Sequence, residues 1–256
     1  MPEGRITYVG HATTLIELEG SSVLTDPLLR DRIGHVSRIA PSVPELPEPG
    51  AILLSHAHRD HLDLPSLRRL GISAPVYGPP AVVSVLAKEG RKATAMRPGD
   101  RARVGAIEVT AVPADHDGRR VPVGVAEEAI GFVLAAGGMR VYFAGDTDLY
   151  PEMAEIGRGG LDLALLPVWG WGPRLGPGHL DPARAAEAVA LLRPAVAIPI
   201  HWGTLWPIVM PWRRHQLHEP PRRMAEAVKA LGLETPVVIL EPGEAHDLPA
   251  TNGGTP

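Results

Sequence analysis

Three histidines and two aspartates lie within residues 56–63, directly after the apolar run that begins the stretch ILLSHAHRDHLDL. In an extended segment, side chains two residues apart point the same way, so His56 and His58 can converge on one ion. The turn that follows can bring Asp60 and His61 towards a second ion. Imidazole suits zinc, iron and other first-row metals, and a carboxylate widens the choice. The stretch predicts part of a metal site, with an exposed polar loop as the alternative.

The remaining ligands must come from elsewhere, because a catalytic zinc alone takes three protein ligands. Three candidates follow predicted strands: His116 lies just past a strand at 107–112, Asp146 just past one at 140–145, and His201 just past one at 195–200. Each of the three, taken alone, would suit a structural role. Together with the first stretch they indicate four strand ends that meet at one rim of a sandwich.

The pattern of elements along the chain predicts a layered α/β fold, with strands and helices mixed from end to end. The predicted strands are 5–9, 13–18, 22–25, 51–55, 107–112, 131–136, 140–145, 161–168, 195–200 and 236–243. The predicted helices are 65–71, 80–89, 181–194 and 220–232. In the third helix Asp181 is the expected N-cap and Pro182 the first helical residue.

Composition limits the classes of function. The chain has 256 residues, enough for one well-cored domain, which we place at 5–248 with a flexible tail at 249–256. A net charge of −4 gives no general attraction to nucleic acid, and no partner of that kind is expected. Cysteine is absent, so nitrogen and oxygen must hold any metal. Without a signal peptide or a transmembrane segment, we expect a cytoplasmic protein.

These motifs resemble those of the metallo-β-lactamase-fold hydrolases, in the same order along the chain: HAHRDH, then His116, then Asp146 in a GDT turn, then His201. The chain looks most like the branch that contains ascorbate-6-phosphate lactonases and N-acylphosphatidylethanolamine-hydrolysing phospholipase D enzymes. That narrower resemblance is carried by YVGHATTLIELEG and VLTDPLL near the start, by PGHLDPARAAEA and by PIHWGT. The match covers about residues 5–243.

The resemblance implies a four-layer αβ/βα sandwich and a two-metal site. It implies that one ion is held by His56, His58 and His116, the other by Asp60, His61 and His201, with Asp146 bridging. The expected ions are Zn²⁺, with Mn²⁺ or Fe²⁺ as alternatives. The absence of cysteine argues against the β-lactam-hydrolysing branches, and His58, where flavin-linked di-iron relatives carry Glu, argues against redox chemistry.

Three further polar residues are candidates for the surroundings of the metals. His11 lies in a segment that approaches the site in the resembling branch. It is a candidate for contact with the metal ligands or the substrate, with a packed structural histidine as the alternative. Asp26 either orients a metal-bound histidine through its other ring nitrogen, which we favour, or caps the turn before Pro27. His179 is the candidate proton donor or substrate-phosphate contact, with a structural role before the helix as the alternative.

Tryptophans flank the predicted site loops and could form an aromatic wall for a substrate. The candidates are Trp169, Trp171, Trp202 and Trp206. Core packing explains one or two of them equally well, since large rings are usually mostly buried. Exposed loops rich in proline and tryptophan could also serve a homo-oligomer interface.

The predicted function is hydrolysis of an ester-type bond, a phosphodiester or a lactone, in a small molecule, with an anionic molecule as a candidate. Two metals can lower the pKa of bound water far enough to give hydroxide near neutral pH, and Asp60 is expected to orient that nucleophile as well as bind metal. The alternatives are a metal-stabilised binding or scaffold protein without activity, and a nuclease-type phosphodiesterase. All seven ligand positions are filled, which argues against loss of activity.

Overall fold

The computed structural model describes residues 4–71, 73–119, 126–170, 175–209 and 216–249. Its strands are β1 (Gly4–Gly10), β2 (Thr13–Leu18), β3 (Ser21–Thr25), β4 (Arg32–Ile33), β5 (Val36–Arg38), β6 (Ala51–Leu53), β7 (Val76–Gly78), β8 (Thr94–Ala95), β9 (Arg101–Val104), β10 (Ile107–Asp117), β11 (Glu128–Ala136), β12 (Met139–Phe143), β13 (Leu163–Pro167), β14 (Val196–Ile200), β15 (Leu205–Pro207) and β16 (Ala245–Leu248). Its helices are α1 (Leu64–Leu70), α2 (Pro80–Lys88), α3 (Met153–Arg158), α4 (Pro182–Leu192) and α5 (Glu219–Ala230).

Two larger sheets carry most of these strands. The first has the order β16-β1-β2-β3-β6-β7-β8, antiparallel from β16 to β3 and parallel from β3 to β8. The second has the order β14-β13-β12-β11-β10-β9, parallel from β14 to β12 and antiparallel beyond. A small third sheet, β15-β5-β4, lies apart from both in the hydrogen-bonding pattern.

The alternation of side chains along β6 shows how the first sheet is covered. Ala51 and Leu53 belong to the main core, which they share with strands of the second sheet. Ile52 and Leu54 belong to a separate cluster with residues of α1 and α2. Successive side chains of a strand point to opposite faces, so one face of this sheet packs on the other sheet and the opposite face packs on helices.

Helices α4 and α5 cover the second sheet, where they contact β13 and β14 and each other. The buried stripe of α4 includes Ala185, Val189 and Leu192, at helical spacing, and it joins the main core. The layered α/β sandwich expected from the sequence is therefore confirmed. No helix in the described parts of the chain has the length and apolar character needed to cross a membrane.

The prediction of a strand at 236–243 is wrong. The structure forms only an isolated bridge there, between Val237 and Ala197, and places the last strand at β16, where it pairs with β1. The physical reason is the pair of prolines at 236 and 242, since proline has no N–H to donate to a ladder. Gly243 does donate to the Tyr8 carbonyl at 2.6 Å, which leads the chain into β16.

The N-terminus of α4 offers a test of the local structure that leads into this helix. The Asp181 carboxylate accepts hydrogen bonds from the backbone N–H groups of Ala183 and Arg184, both at 2.9 Å. We expect Asp181→Ala to lower the free energy of unfolding by about 1 kcal/mol, measured by urea denaturation at an unchanged slope. Glu187→Ala, at an exposed position within the same helix, is the control. Equal stability of the two variants would contradict the capping role.

Candidate metal centre

The ends of four strands meet at one edge of the sandwich, where they bring together the polar residues singled out in the sequence. The segment after β6 carries HAHRDH, Asp146 follows β12, and His201 directly follows β14. His116 differs from the expectation, since β10 extends to Asp117 and His116 lies inside the strand. The pairing of β10 with β11 shifts register between Pro113 and Asp117, so the regular ladder stops before His116.

One cluster consists of three imidazoles, His56, His58 and His116, called here the three-histidine group. The Nδ1 atom of His58 lies 2.9 Å from His56 Nε2 and 3.2 Å from His116 Nε2. Their ring nitrogens lie close enough together to hold one ion. The structure thus brings together in space three residues that are up to 60 positions apart in the sequence.

A second cluster combines imidazole and carboxylate groups and is called here the mixed group (Asp60, His61, Asp146 and His201). The Nε2 atoms of His61 and His201 are 3.3 Å apart. The two oxygens of Asp146 lie 3.2 Å from His61 Nε2 and 3.3 Å from His201 Nε2. Asp60 Oδ2 is 3.8 Å from His61 Nε2.

Backbone carbonyls fix the orientation of two of these rings. His201 Nδ1 lies 2.5 Å from the carbonyl oxygen of Trp169, and His116 Nδ1 lies 2.7 Å from that of Gly178. A carbonyl only accepts, so Nδ1 carries the proton in both rings and donates it. A neutral ring held in this way presents the lone pair of Nε2 to the site, which is the form that binds metal.

The pKa values of four imidazoles agree with the neutral form. Burial lowers the pKa of His58 to about 4 and the pKa of His201 to about 3. Burial also lowers the pKa of His56 and of His116. These four rings are therefore neutral near pH 7, with a lone pair available to a cation.

The carboxylates make the mixed group favourable for positive charge. Burial alone would raise the pKa of Asp146, yet its electrostatic interactions with His201 and His61 hold it well below its usual range. Burial alone would likewise raise the pKa of Asp60, and His61 again lowers it. Burial opposes protonation of His61 itself, but Asp146 and Asp26 outweigh it, so that its pKa is raised well above normal.

Two observations indicate that the donor set fits divalent metal ions. The Oδ1 atom of Asp146 is buried and has no hydrogen-bond partner among the described residues, which is unfavourable for a carboxylate unless a cation compensates it. Ring nitrogens of neighbouring histidines also face one another, at 3.2 Å between His116 Nε2 and His58 Nδ1 and at 3.3 Å between His201 Nε2 and His61 Nε2, so that two rings can bind one cation. Nitrogen and carboxylate oxygen are donors that zinc, manganese and iron accept.

His11 and Asp26 both lie against these groups and are buried. His11 Nε2 is 3.0 Å from Asp60 Oδ2, and the ring of His11 lies 3.8 Å from that of His201, centroid to centroid. Asp26 Oδ2 is 2.8 Å from His61 Nδ1. His11, Asp26 and His201 all have positive φ, at 56°, 34° and 65°, which is uncommon for residues other than glycine. The backbone is therefore strained where these side chains converge.

His179 lies at the border of both groups and is partly exposed. Its Nε2 is 3.5 Å from Asp146 Oδ2, and its side chain is 24% exposed. Its Nδ1 faces the carbonyl oxygens of Gly176 and Pro177 at 3.2 and 3.1 Å. Burial would lower the pKa of His179, but the hydrogen bond and charge of Asp146 raise it. His179 also forms, with His116 and Asp146, a third set of atoms close enough to share an ion.

The tryptophans are divided between the core and the edge of the site. Trp202 is 1% exposed, stacks on Tyr8 and donates from Nε1 to the Pro199 carbonyl, so its ring packs in the core and is not placed to face a substrate. Trp169 stacks on Trp206 with centroids 5.8 Å apart, and only Trp169 is partly exposed. Trp171 lies outside the described residues.

The sequence reasoning did not single out Ser55 or Gly178. The Ser55 hydroxyl lies 2.5 Å from Asp26 and 2.9 Å from His56 Nδ1, and its place directly before the first histidine was the available signal. Gly178 has φ +78°, and a Cβ atom there would lie 3.0 Å from His116 Nδ1. Glycine therefore allows the Gly178 carbonyl to approach His116 closely.

The chain is similar to proteins described as metal-dependent hydrolases. Residues 21–202 match the family model of the beta-lactamase superfamily domain. A UPF0173 metal-dependent hydrolase of Archaeoglobus fulgidus is 35% identical over 253 residues, covering 95% of this chain and 98% of that protein. Another, of Methanopyrus kandleri, is 35% identical over 250 residues, covering 95% and 99%.

A solved structure gives the same result. Igni18, described as a novel metallo hydrolase from the hyperthermophilic archaeon Ignicoccus hospitalis, superposes with a TM-score of 0.73 at 26% identity, covering 95% of this chain and 97% of that one. The metallo-β-lactamase fold predicted from the sequence is thus confirmed, while the narrower lactonase and phospholipase D branch stays a prediction. The chain belongs to the UPF0173 metal-dependent hydrolases of the β-lactamase superfamily.

Proposed function

We propose that this protein hydrolyses an ester-type bond, a phosphodiester or a lactone, with two divalent metal ions held by the three-histidine group and the mixed group. Zn²⁺ is the expected ion, with Mn²⁺ and Fe²⁺ as alternatives. Asp146 would bridge the two ions. The observation that carries the proposal is the convergence of imidazoles on a buried carboxylate, one oxygen of which has no hydrogen-bond partner among the described residues.

The chemistry assigned to the bound ions is the supply of hydroxide near neutral pH and the polarisation of the substrate oxygen. The protein's own residues then have to hold the ions and orient the nucleophile. Asp60 is fixed by the hydrogen bond from His11 Nε2 at 3.0 Å, which supports a role for its carboxylate both as a ligand and as an acceptor that orients the nucleophile. His11 acts through Asp60 and is a positioning residue.

His179 is the proposed proton donor to the leaving group. Its Nδ1 is occupied by the carbonyls of Gly176 and Pro177, so Nε2 is the nitrogen that faces the site. The partial exposure of the side chain puts it at the entrance, where a substrate would pass, while His11, His56, His61 and His201 are buried. A donor of this kind has to be within hydrogen-bond reach of the leaving oxygen.

The proposal predicts both metal content and a class of reaction. Purified protein should carry about two metal ions per chain by elemental analysis, and a chelator should remove them and abolish hydrolysis. A screen of bis(p-nitrophenyl) phosphate, lactones, thioesters and β-lactams should give activity on a phosphodiester or a lactone. Re-addition of Zn²⁺ or Mn²⁺ should restore the rate, because the ligands remain in place.

The same experiment has outcomes that contradict the proposal. Protein that binds metal but cleaves none of the four substrate classes would favour a metal-stabilised binding protein. Activity that survives complete removal of metal would refute the two-metal reaction. A His58→Ala variant that keeps full metal content and full activity would remove the three-histidine group from the site.

A further inference from the structure

A single buried carboxylate lies behind both proposed metal groups. Asp26 accepts from the backbone N–H of Ser55 at 2.8 Å and from the Ser55 hydroxyl at 2.5 Å. The same oxygen that accepts from the hydroxyl lies 2.8 Å from His61 Nδ1. Ser55 Oγ is in turn 2.9 Å from His56 Nδ1. Asp26, Ser55, His56 and His61 are all 0% exposed, so water does not replace these contacts.

The direction of each hydrogen bond in this network follows from counting protons. A serine hydroxyl has one proton, and a buried carboxylate has none to give. If the Ser55 proton pointed at His56, the oxygens of Ser55 and Asp26 would face each other at 2.5 Å without a proton between them, which is strongly unfavourable. The hydroxyl therefore donates to Asp26, and Ser55 Oγ must accept from His56 Nδ1.

This assignment fixes the tautomer of His56. With the proton of the neutral ring on Nδ1, Nε2 has a free lone pair, and that atom lies 2.9 Å from His58 Nδ1 inside the three-histidine group. His61, which belongs to the mixed group, is held by Asp26 directly. The carboxylate thus reaches one histidine of each group, one directly and one through a hydroxyl.

We infer that Ser55 is a positioning residue, whose hydroxyl connects Asp26 to His56 so that one buried carboxylate orients a histidine in each metal group. The inference deepens the proposed function and rests on it, because it has a consequence only if these groups hold metal. Partners of this kind typically change metal affinity by about 10- to 100-fold when they are removed. Loss of the Ser55 hydroxyl would then lower the affinity for one ion, and loss of the Asp26 carboxylate would lower the affinity for both.

The test compares Ser55→Ala with a matched control, Ser66→Ala. Ser66 is also buried, donates from its hydroxyl to the Asp63 carboxylate at 2.6 Å and accepts from the Leu29 N–H at 2.8 Å, but it bonds no histidine in the described part of the chain. Chelator competition with Zn²⁺ should show one ion bound about 10- to 100-fold more weakly in Ser55→Ala. The second ion should keep its wild-type affinity, and Ser66→Ala should keep both.

Asp26→Asn extends the comparison, since it should lower the affinity for both ions. The inference is overturned if Ser55→Ala binds both ions like the wild type, if the two serine variants lose affinity equally, or if Asp26→Asn affects only one ion. A measurement on the unmodified protein guards against variants that fail to fold. Nitrogen-15 NMR of the Zn²⁺-loaded wild type should find His56 protonated at Nδ1, with slow exchange, and a proton at Nε2 would refute the assignment.

Failure of this inference is distinguishable from failure of the proposed function. Wild-type protein that binds no Zn²⁺ would refute the proposed function itself. Wild-type protein that binds two ions, together with a Ser55→Ala variant of unchanged affinity, would refute only the role of Ser55.

Discussion

An Asp146→Asn variant should lose about 10³-fold or more of the hydrolytic rate and bind metal less well, while it keeps the fold. The two oxygens of Asp146 lie within 3.3 Å of ring nitrogens of both His61 and His201, and Oδ2 is also 3.5 Å from His179. Asparagine has the same shape but no charge, so it removes the group proposed to bridge the ions. Charge stabilisation by metal of about 4 kcal/mol corresponds to about 10³-fold in rate.

The measurement is kcat/KM on the best substrate of the screen, together with metal content and the far-UV circular dichroism of the same preparation. Asp162→Asn is the control, because Asp162 is a structural aspartate outside both groups that accepts from the Arg140 N–H at 2.7 Å. It should leave rate and metal content unchanged. An Asp146→Asn protein with near wild-type activity would show that neither bridging nor charge at this position is needed.

The sequence was informative about this site because the chemistry is concentrated in short motifs at strand ends. HAHRDH after a buried strand, and single His or Asp residues after three others, were enough to predict one shared site, and the structure brings all of them together. They are His56, His58, Asp60, His61, His116, Asp146 and His201. Strand ends at one edge of a sandwich meet whatever the details of the loops, so the prediction needed no side-chain geometry.

What the sequence could not supply were contacts between segments far apart in the chain. The nitrogen that each ring presents depends on acceptors such as the carbonyls of Trp169 and Gly178, and no residue type predicts a carbonyl partner. The position of Trp202 in the core could not be predicted either, because a ring that follows a strand end can turn towards the core or towards the site. The strand expected at 236–243 failed because its prolines outweighed its apolar pattern.

Strain and burial at the site are consistent with a centre built for metal at some expense of stability. His11 and His201 both have positive φ, and the N–H of His201 donates to the carbonyl of His11 at 2.7 Å, so each helps to hold the other. Thr204 adds a second link, because its hydroxyl accepts from the His11 N–H at 2.7 Å. Such conformations persist only where the surroundings over-determine them, so His11 and His201 are held in place by their neighbours.

His179→Ala should separate proton donation from metal binding. We expect kcat to fall by about 10²- to 10⁴-fold, the usual contribution of a positioned acid or base, with about two metal ions still bound per chain. His218→Ala is a matched control, since His218 also lies 3.5 Å from a carboxylate oxygen, that of Glu241, but stands outside the site. It should have wild-type kcat and metal content.

The three possible outcomes for His179 are clearly separated. Because its Nε2 lies 3.5 Å from Asp146 Oδ2 and forms a set with His116, a metal ligand at this position is the competing role. In that case His179→Ala would lose metal along with activity. A loss of rate that is smaller for substrates with a good leaving group, such as p-nitrophenyl esters, than for alkyl esters would identify a proton donor, because a good leaving group needs no proton. Full activity on both kinds of substrate would leave His179 with only a structural role.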